Sequence, residues 1–411
     1  MRVAFLSHLD MNLYLFRLPW MKKLREMGFE VFALVPEGEY SDRLRRNGFQ
    51  VISYGIDRRS LNPLKESRTI GELYRIFKKQ NFDILHTFTY KPNLYGTLAG
   101  RRAGIPIIIN TITGLGHVYT TCGTSDKKRL KKWIYTAFYR YSLNMADYVI
   151  FQNTDDLKLL SKYVSNKKVK LRLIRGSGVD TVYFSSSSVD VKKVEKLRDE
   201  LGLTGEEKVV TMIARMYWGK GIKEYVEAAN KILGERDDVC FLVVGWRDKG
   251  NPDTIPESFI RKYSTEKLRF LGKRDEIREI LYITDIYVLP SYREGLSRTI
   301  LEAMSMQKPV VTTDAPGCKD LVKDGINGFL VPVGDSHALK KAISNLIGDA
   351  GLRKKMGEAG RKRVVKEFSV DVILGELERL YSECRKRLFQ NPGEVSYTNI
   401  VHERDEADAF E

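Results

Sequence analysis

Cysteine is scarce in this 411-residue chain, and Cys122, Cys240, Cys318 and Cys384 lie far apart with no Cys-x-x-Cys pair. That excludes a disulfide framework and a Cys/His zinc site, and it fits reduced thiols in the cytoplasm. Long apolar runs are missing too, since none approaches the ~18 residues of a membrane span. The opening Met1-Arg2-Val3-Ala4-Phe5-Leu6-Ser7 is too short in its apolar part for a signal peptide and reads as a first strand. No Gly-x4-Gly-Lys-Ser/Thr loop occurs, which excludes a P-loop nucleotidase. Without such a loop, the helicase-like string Asp405-Glu406-Ala407-Asp408 in a polar tail is a chance match. No metal site and no nucleic-acid role are expected.

What is there is ordinary for a soluble globular protein, with 43% hydrophobic and 30% charged residues. The length predicts two or three domains. The net charge of +16 is unevenly placed. Residues 1–180 hold 31 Lys and Arg against 15 Asp and Glu, and the remainder holds 38 of each. The N-terminal half therefore wants an anionic partner: nucleic acid, an acidic membrane surface or a phosphorylated substrate. A nucleic-acid partner would explain the basic half but not the embedded carboxylate Glu302.

Strand-like runs recur at Val3–Ser7, Glu30–Val35, Gln50–Tyr54, Ile84–His86, Ile107–Thr111, Tyr148–Gln152 and Lys170–Ile174. Helical stretches such as Leu18–Met27 and Lys65–Gln80 alternate with them. The alternation predicts a doubly wound α/β domain over 1–180. Gly176-Ser177-Gly178 and the Ser185–Ser188 run break the pattern, so a linker is expected over 181–205. Strands then resume at Val209–Ala214, Val239–Gly245, Leu268–Leu271, Ile286–Leu289, Pro309–Thr313 and Gly328–Val331. Helices are expected at Ile222–Leu233, Asp275–Ile283, Ser297–Met306, Ala338–Gly348 and Leu352–Glu367. This is a second Rossmann-like domain over 206–370. A last helix over 371–390 is expected to cross back onto the first domain, ahead of an acidic, mobile tail over 391–411.

Ser291–Met304 is the most informative stretch. It follows a strand and becomes an apolar helix with one acid, Glu302, among Ile300, Leu301, Ala303 and Met304. A charge there costs several kcal/mol, on the order of 3, unless polar groups meet it, and ribose hydroxyls are suitable partners. Glu294 lies in the preceding loop, and the helix start offers free amides that favour an anion. A second loop, Arg215-Met216-Tyr217-Trp218-Gly219-Lys220-Gly221, leaves another strand end. Open α/β sheets bind ligands there, and an Arg fork beside a Lys point charge suits a diphosphate.

Arg215…Lys220-Gly221, Pro290-Ser291…Glu294-Gly295…Glu302-Ala303 and Asn327-Gly328 resemble the donor-domain signature of the family 4 retaining glycosyltransferases. The resemblance spans roughly residues 1–385 and implies the GT-B fold: two Rossmann-like domains with facing parallel sheets and a C-terminal helix crossing back. It implies a nucleotide-diphosphate sugar donor, retention at the anomeric carbon and no required metal, in line with the lack of an Asp-x-Asp motif. On this likeness Arg215 and Lys220 stabilise the leaving diphosphate, and Glu302 binds ribose. Glu294 and the amides of Gly295, Leu296 and Ser297 hold the donor, with Arg274 also expected in the donor pocket. The family often has Gly or Pro where Ser297 stands. His117, in the glycine loop Thr113-Gly114-Leu115-Gly116-His117, is expected to contact the donor sugar or its diphosphate. His8 and Asp10 occupy the first strand–helix loop, near the expected acceptor, where many relatives carry a Gly-Gly pair. His86 reads as structural.

A narrower likeness rests on Arg59-Ser60-Leu61-Asn62-Pro63, Thr113-Gly114-Leu115-Gly116, Arg247-Asp248…Asn251-Pro252 and Gly317-Cys318. It points to the subgroup that extends undecaprenyl-diphosphate-linked sugars in glycan, capsule and O-antigen assembly. That implies a UDP-N-acetylhexosamine donor and a polyprenyl-diphosphate-linked acceptor. Arg17, Arg58, Arg59 and Lys91 are candidate contacts for the acceptor diphosphate. Leu130, Trp133, Ile134, Ala137, Phe138 and Tyr141 repeat at helical spacing among Lys127, Lys128, Arg129, Lys131, Lys132 and Arg140. Such a helix either packs on its own domain or lies in an anionic membrane surface. The second reading makes the protein peripheral on the inner face of the plasma membrane, held by Lys131, Lys132 and Trp133.

Overall fold

The computed structural model describes residues 1–58, 60, 62–115, 126–248, 250–251 and 253–390, the side chains of 126–132 excepted. The first half runs β1 (Arg2–Ser7), α1 (Asp10–Glu26), β2 (Glu30–Val35), α2 (Glu39–Arg46), β3 (Gln50–Ser53), α3 (Pro63–Gln80) and β4 (Ile84–Phe88). It continues with α4 (Tyr90–Ala103), β5 (Ile107–Ile112), α5 (Asp126–Met145), β6 (Tyr148–Phe151), α6 (Thr154–Ser161) and β7 (Lys170–Leu173). The second half runs α7 (Val191–Glu200), β8 (Lys208–Ile213), α8 (Ile222–Leu233), β9 (Val239–Val244), α9 (Glu257–Tyr263), β10 (Leu268–Gly272), α10 (Ile277–Ile283) and β11 (Ile286–Leu289). After these come α11 (Arg298–Ser305), β12 (Val310–Thr313), β13 (Gly328–Val331), α12 (Ser336–Gly348), α13 (Ala350–Glu367) and α14 (Val370–Gln390).

Two all-parallel sheets result, ordered β3-β2-β1-β4-β5-β6-β7 and β10-β9-β8-β11-β12-β13. Their central strands are apolar on both faces, as Val3, Ala4, Phe5 and Leu6 are in β1, because helices cover both sides. In the first half, α1 and α14 cover one face through Leu13, Trp20, Leu377 and Tyr381. The other face carries α3 and α4 through Leu73, Phe77, Leu94 and Ala99. The chain therefore changes faces between β1 and β4, and the strand order reverses there. The second sheet reverses in the same way between β8 and β11. The carboxyl ends beside such reversals form crevices that ligands use.

The expected crossing helix is α14. It packs Ile373, Leu377, Tyr381 and Cys384 into the first half's core, and Phe29 meets Tyr381 edge-on at 5.6 Å. His86 is structural, bonding the Tyr381 hydroxyl at 2.8 Å and the Thr111 hydroxyl at 2.7 Å. Two expectations need correction. Residues 181–205 are not a free linker: α7 sits inside them, and Val194, Leu197, Leu201 and Leu203 join the second half's core. The connection is narrower, a pair of strands of chain where Val179 bridges Ser369. The first helix starts at Asp10 rather than near Leu18, with Pro19 inside it. Pro19 has no N–H, so the Leu15 carbonyl four residues earlier loses its helical donor.

Candidate active site

The second sheet's crevice gathers four of the expected side chains. Arg215 leaves β8 exposed, its guanidinium 4.8 Å from the Tyr217 ring, and it has no ion pair among the described residues. Tyr217 is anchored by its hydroxyl donating to Asp248 Oδ2 at 3.0 Å. Gly221, at φ +75°, lets the β8 loop meet the end of β11, since a Cβ there would strike the Pro290 carbonyl. Across that contact Lys220 Nζ donates to Glu294 Oε1 at 2.5 Å. The pair leaves two lysine donors and one carboxylate oxygen for other partners.

Ser297 caps α11, its hydroxyl accepting from the Ile300 amide. Glu302 is 7% exposed, and burial raises its carboxyl above the ordinary range while Arg298 opposes the rise. Arg298 Nε lies 2.8 Å from Glu302 Oε1, one helical turn away. The sequence reading missed this partner, although the i,i+4 spacing contains it. Arg298 also donates to the Leu15 carbonyl of α1, the acceptor that Pro19 frees. Its guanidinium stands 5.4 Å from the Phe16 ring.

The two halves meet around Glu294. A Cβ on Gly295 would strike the Thr113 carbonyl, and Gly114, at φ +123°, faces the Gly295 backbone. Asn153 Nδ2 donates to the Gly295 carbonyl at 2.7 Å and to Asp156 Oδ2 at 3.0 Å. Arg293 forms an ion pair with Asp156, which is wholly buried. The Thr154 hydroxyl donates to Asp320 Oδ1 at 3.1 Å. The start of α6 thus grips residues 293–295 and 320 of the second half. Leu296 packs beside Gly176, at the narrow connection.

Other expected residues go elsewhere. Arg274 does not join these four side chains; it pairs with Glu200 at 2.7 Å and Glu276 at 2.5 Å, tying α7 to the β10 end. Lys91 is not free for an acceptor, because its ammonium donates to Asp57 O, Ser60 O and Glu66 Oε1 at 2.6–2.7 Å. Arg17 is 4% exposed, stacked 4.6 Å from Trp20 and 4.8 Å from Phe88. Burial and Arg298 pull its pKa down to about 9. Asp10 Oδ2 is spent on the Tyr40 and Ser41 amides at 2.7 and 3.2 Å, where it orders the start of α2. His8, by contrast, sits in the first sheet's crevice with Nδ1 2.5 Å from the Thr89 hydroxyl.

Trp133 is 69% exposed on α5, with Phe138 and Tyr141 also exposed. Tyr135 of the same helix stacks on Tyr90 at 4.2 Å. The helix is thus both packed against its domain and open on its outer face. Arg59, Leu61, Gly116, His117, Pro252 and the tail after Gln390 lie outside the described residues, as do the Lys131 and Lys132 side chains. No described helix is long and apolar enough to cross a membrane. No group of three or more His, Cys, Asp or Glu among the described residues could hold a metal ion.

Two facing doubly wound halves, with cations and acids at the second half's crevice and a helix crossing back, define a GT-B glycosyltransferase. Residues 2–153 match the family described as Glycosyl transferase 4-like, and residues 193–363 match Glycosyl transferases group 1. The chain is 31% identical over 388 residues to the N,N'-diacetylbacillosaminyl-diphospho-undecaprenol alpha-1,3-N-acetylgalactosaminyltransferase of Campylobacter jejuni, covering 94% of this chain and 100% of that one. It is 27% identical to the UDP-Gal:alpha-D-GlcNAc-diphosphoundecaprenol alpha-1,3-galactosyltransferase of Escherichia coli, covering 79% of this chain and 81% of that one. Among solved structures, sucrose-phosphate synthase of Thermosynechococcus elongatus superimposes with a TM-score of 0.78 at 21% identity, covering 94% of this chain and 100% of that one. The protein belongs to the group 1, 4-like family of glycosyltransferases.

Proposed function

We propose that the protein transfers an N-acetylhexosamine from its UDP-sugar to a polyprenyl-diphosphate-linked saccharide, with retention at the anomeric carbon. The observation that carries this is the convergence of Arg215, Lys220, Glu294 and Glu302 on one sheet crevice that faces the other half. The acceptor class rests on the two relatives whose names specify diphospho-undecaprenol sugars.

The acceptor oxygen attacks the anomeric carbon on the face from which the diphosphate leaves. The bond from that carbon to the diphosphate oxygen breaks, and the acceptor proton passes to a leaving phosphate oxygen. Arg215 and Lys220 meet the charge that develops there, the usual large electrostatic contribution. Glu294 keeps one oxygen on Lys220 and offers the other to the sugar. Glu302 exchanges part of its contact with Arg298 for ribose hydroxyls. The proposal assigns no step to a metal. The exposed Trp133, Phe138 and Tyr141 on basic α5 hold the protein to the inner, anionic face of the plasma membrane.

The test is UDP release from a panel of UDP-sugars, with and without a detergent extract of polyprenyl-diphosphate sugars. Release that needs one UDP-sugar and the lipid fraction together is the expected result. Conversion of a UDP-sugar to its epimer with no acceptor present would replace the reading by an epimerase. Absence of both release and UDP binding would leave a non-catalytic scaffold.

A further inference from the structure

The second sheet's reversal carries the donor constellation, and the first sheet has the equivalent crevice between β1 and β4. Parallel pairing sets Ser7 beside Phe88, so the residues just beyond them, His8 and Thr89, line that crevice from its two sides. Thr89 is held at φ +75°, a costly conformation for a β-branched residue. It stands at the N-cap of α4, where a threonine hydroxyl ordinarily accepts from the helix amides. Here it makes no cap bond and is turned to His8 Nδ1 instead, at 2.5 Å. The backbone strain and the forgone cap together fix one imidazole. No described residue bonds its Nε2.

Three cations act on His8: Arg58, Lys91 and, from the opposite half, Arg215. Lys91 is neutralised by Glu66 at 2.7 Å. Arg215 belongs to the donor crevice, so His8 sits where the two crevices face each other. Burial and these cations hold its pKa down to about 4, which keeps the ring neutral near pH 7. A neutral imidazole among cations is poorly suited to take a proton. It is well suited to hold a hydroxyl by one hydrogen bond. Asp10, the other polar group of the loop, is already occupied by backbone amides.

We infer that, in the crevice expected for the acceptor, His8 Nε2 contacts the hydroxyl that attacks and Thr89 positions the ring. This rests on the transferase reading above. The proton still leaves with the departing phosphate, so His8 orients the nucleophile without changing its own protonation.

The experiment compares wild type, His8→Ala, His8→Gln, Thr89→Val and Thr89→Ser. It uses the UDP-sugar and the polyprenyl-diphosphate fraction that support release by the wild type, with UDP itself as the calorimetric probe of the donor crevice. His8→Ala is expected to lower kcat/KM for the lipid fraction about tenfold to a hundredfold, the scale of one hydrogen bond to a reacting group. His8→Gln, which keeps a hydrogen-bonding group, should recover part of it. Thr89→Val should follow His8→Ala in direction and Thr89→Ser should not. UDP affinity should move less than about twofold, because one lost acceptor contact is not a donor contact. Unchanged acceptor kcat/KM in His8→Ala overturns the assignment alone. Equal losses in UDP affinity and acceptor kcat/KM overturn it in favour of a donor or folding role. No wild-type release from any pair removes the transferase reading first and this assignment with it.

Discussion

Asp156→Ala should be among the most damaging single changes in the protein, although Asp156 lies in the half opposite Glu294 and Glu302. Its carboxylate is wholly buried and faces Arg293, itself mostly buried. Removing the acid leaves a guanidinium with no counter-charge, which costs about 3–5 kcal/mol. The Asn153 amide loses its 3.0 Å partner as well, about 1 kcal/mol more. Burial nevertheless raises the Asp156 pKa even with Arg293 opposing it, so the pair itself stabilises little. The apolar double variant Asp156→Leu/Arg293→Met should therefore recover most of the loss. The assay is urea unfolding of the two variants, read at the first transition, together with kcat. Because Arg293 and Gly295 flank Glu294, Asp156→Ala should also depress kcat beyond its effect on the folded fraction. A first transition within about 0.5 kcal/mol of wild type, the range of an ordinary surface change, would refute the argument. So would a double variant no better than the single one.

Three further outcomes are expected. Arg215→Ala should lower kcat about 10²-fold or more with near-native stability, since its guanidinium is exposed and the role proposed for it is to stabilise developing charge only; near-normal turnover of the folded variant counts against the donor assignment. Trp133→Ser with Phe138→Ser should weaken sedimentation with anionic liposomes and leave UDP affinity intact, because these exposed rings are far in sequence from the donor crevice; unchanged sedimentation would make α5 a packing helix only. Stability should fall as the pH drops below His's ordinary 6.5, because burial holds the His86 pKa well below that value. The unfolded chain then binds a proton that the folded one does not, at about 1.4 kcal/mol per pH unit; a urea midpoint whose slope from pH 6.5 to 5 is identical in His86→Gln would exclude this source.

Much of the architecture was legible because buried parallel strands are written as short apolar runs between helices. Ile286–Leu289, Gly328–Val331 and Ile222–Leu233 agree residue for residue with β11, β13 and α8. The connection was misread because Ser185–Ser188 has linker composition, whereas Val194, Leu197 and Leu201 carry a helical face that decides the matter. Glu294 and Glu302 stood out because a carboxylate in apolar surroundings demands an explanation. Their partners did not stand out. Lys220 is 74 positions from Glu294, and Asp156 is 137 from Arg293. Only the fold sets such distances. Lys91 and Arg274 illustrate the reverse error: a cation at a strand end looks free until Glu66 or Glu200 is brought to it.

Pro19 shows how one such long-range partner arises. Within α1 it removes a donor, and propensity alone counts it as a defect of about 3 kcal/mol. The defect lies on the face turned to the second half, and the carbonyl it exposes belongs to Leu15. Arg298 fills that acceptor while its Nε holds Glu302. One guanidinium thus joins the acid expected to bind ribose to a helix of the first half. If Glu302 shifts toward a ribose, Arg298 keeps its hold on Leu15 O only where the two halves stay close. The missing helical hydrogen bond is therefore also a link between the two halves. Replacing the proline would give α1 its own donor back and set that amide in competition with Arg298 for the Leu15 carbonyl.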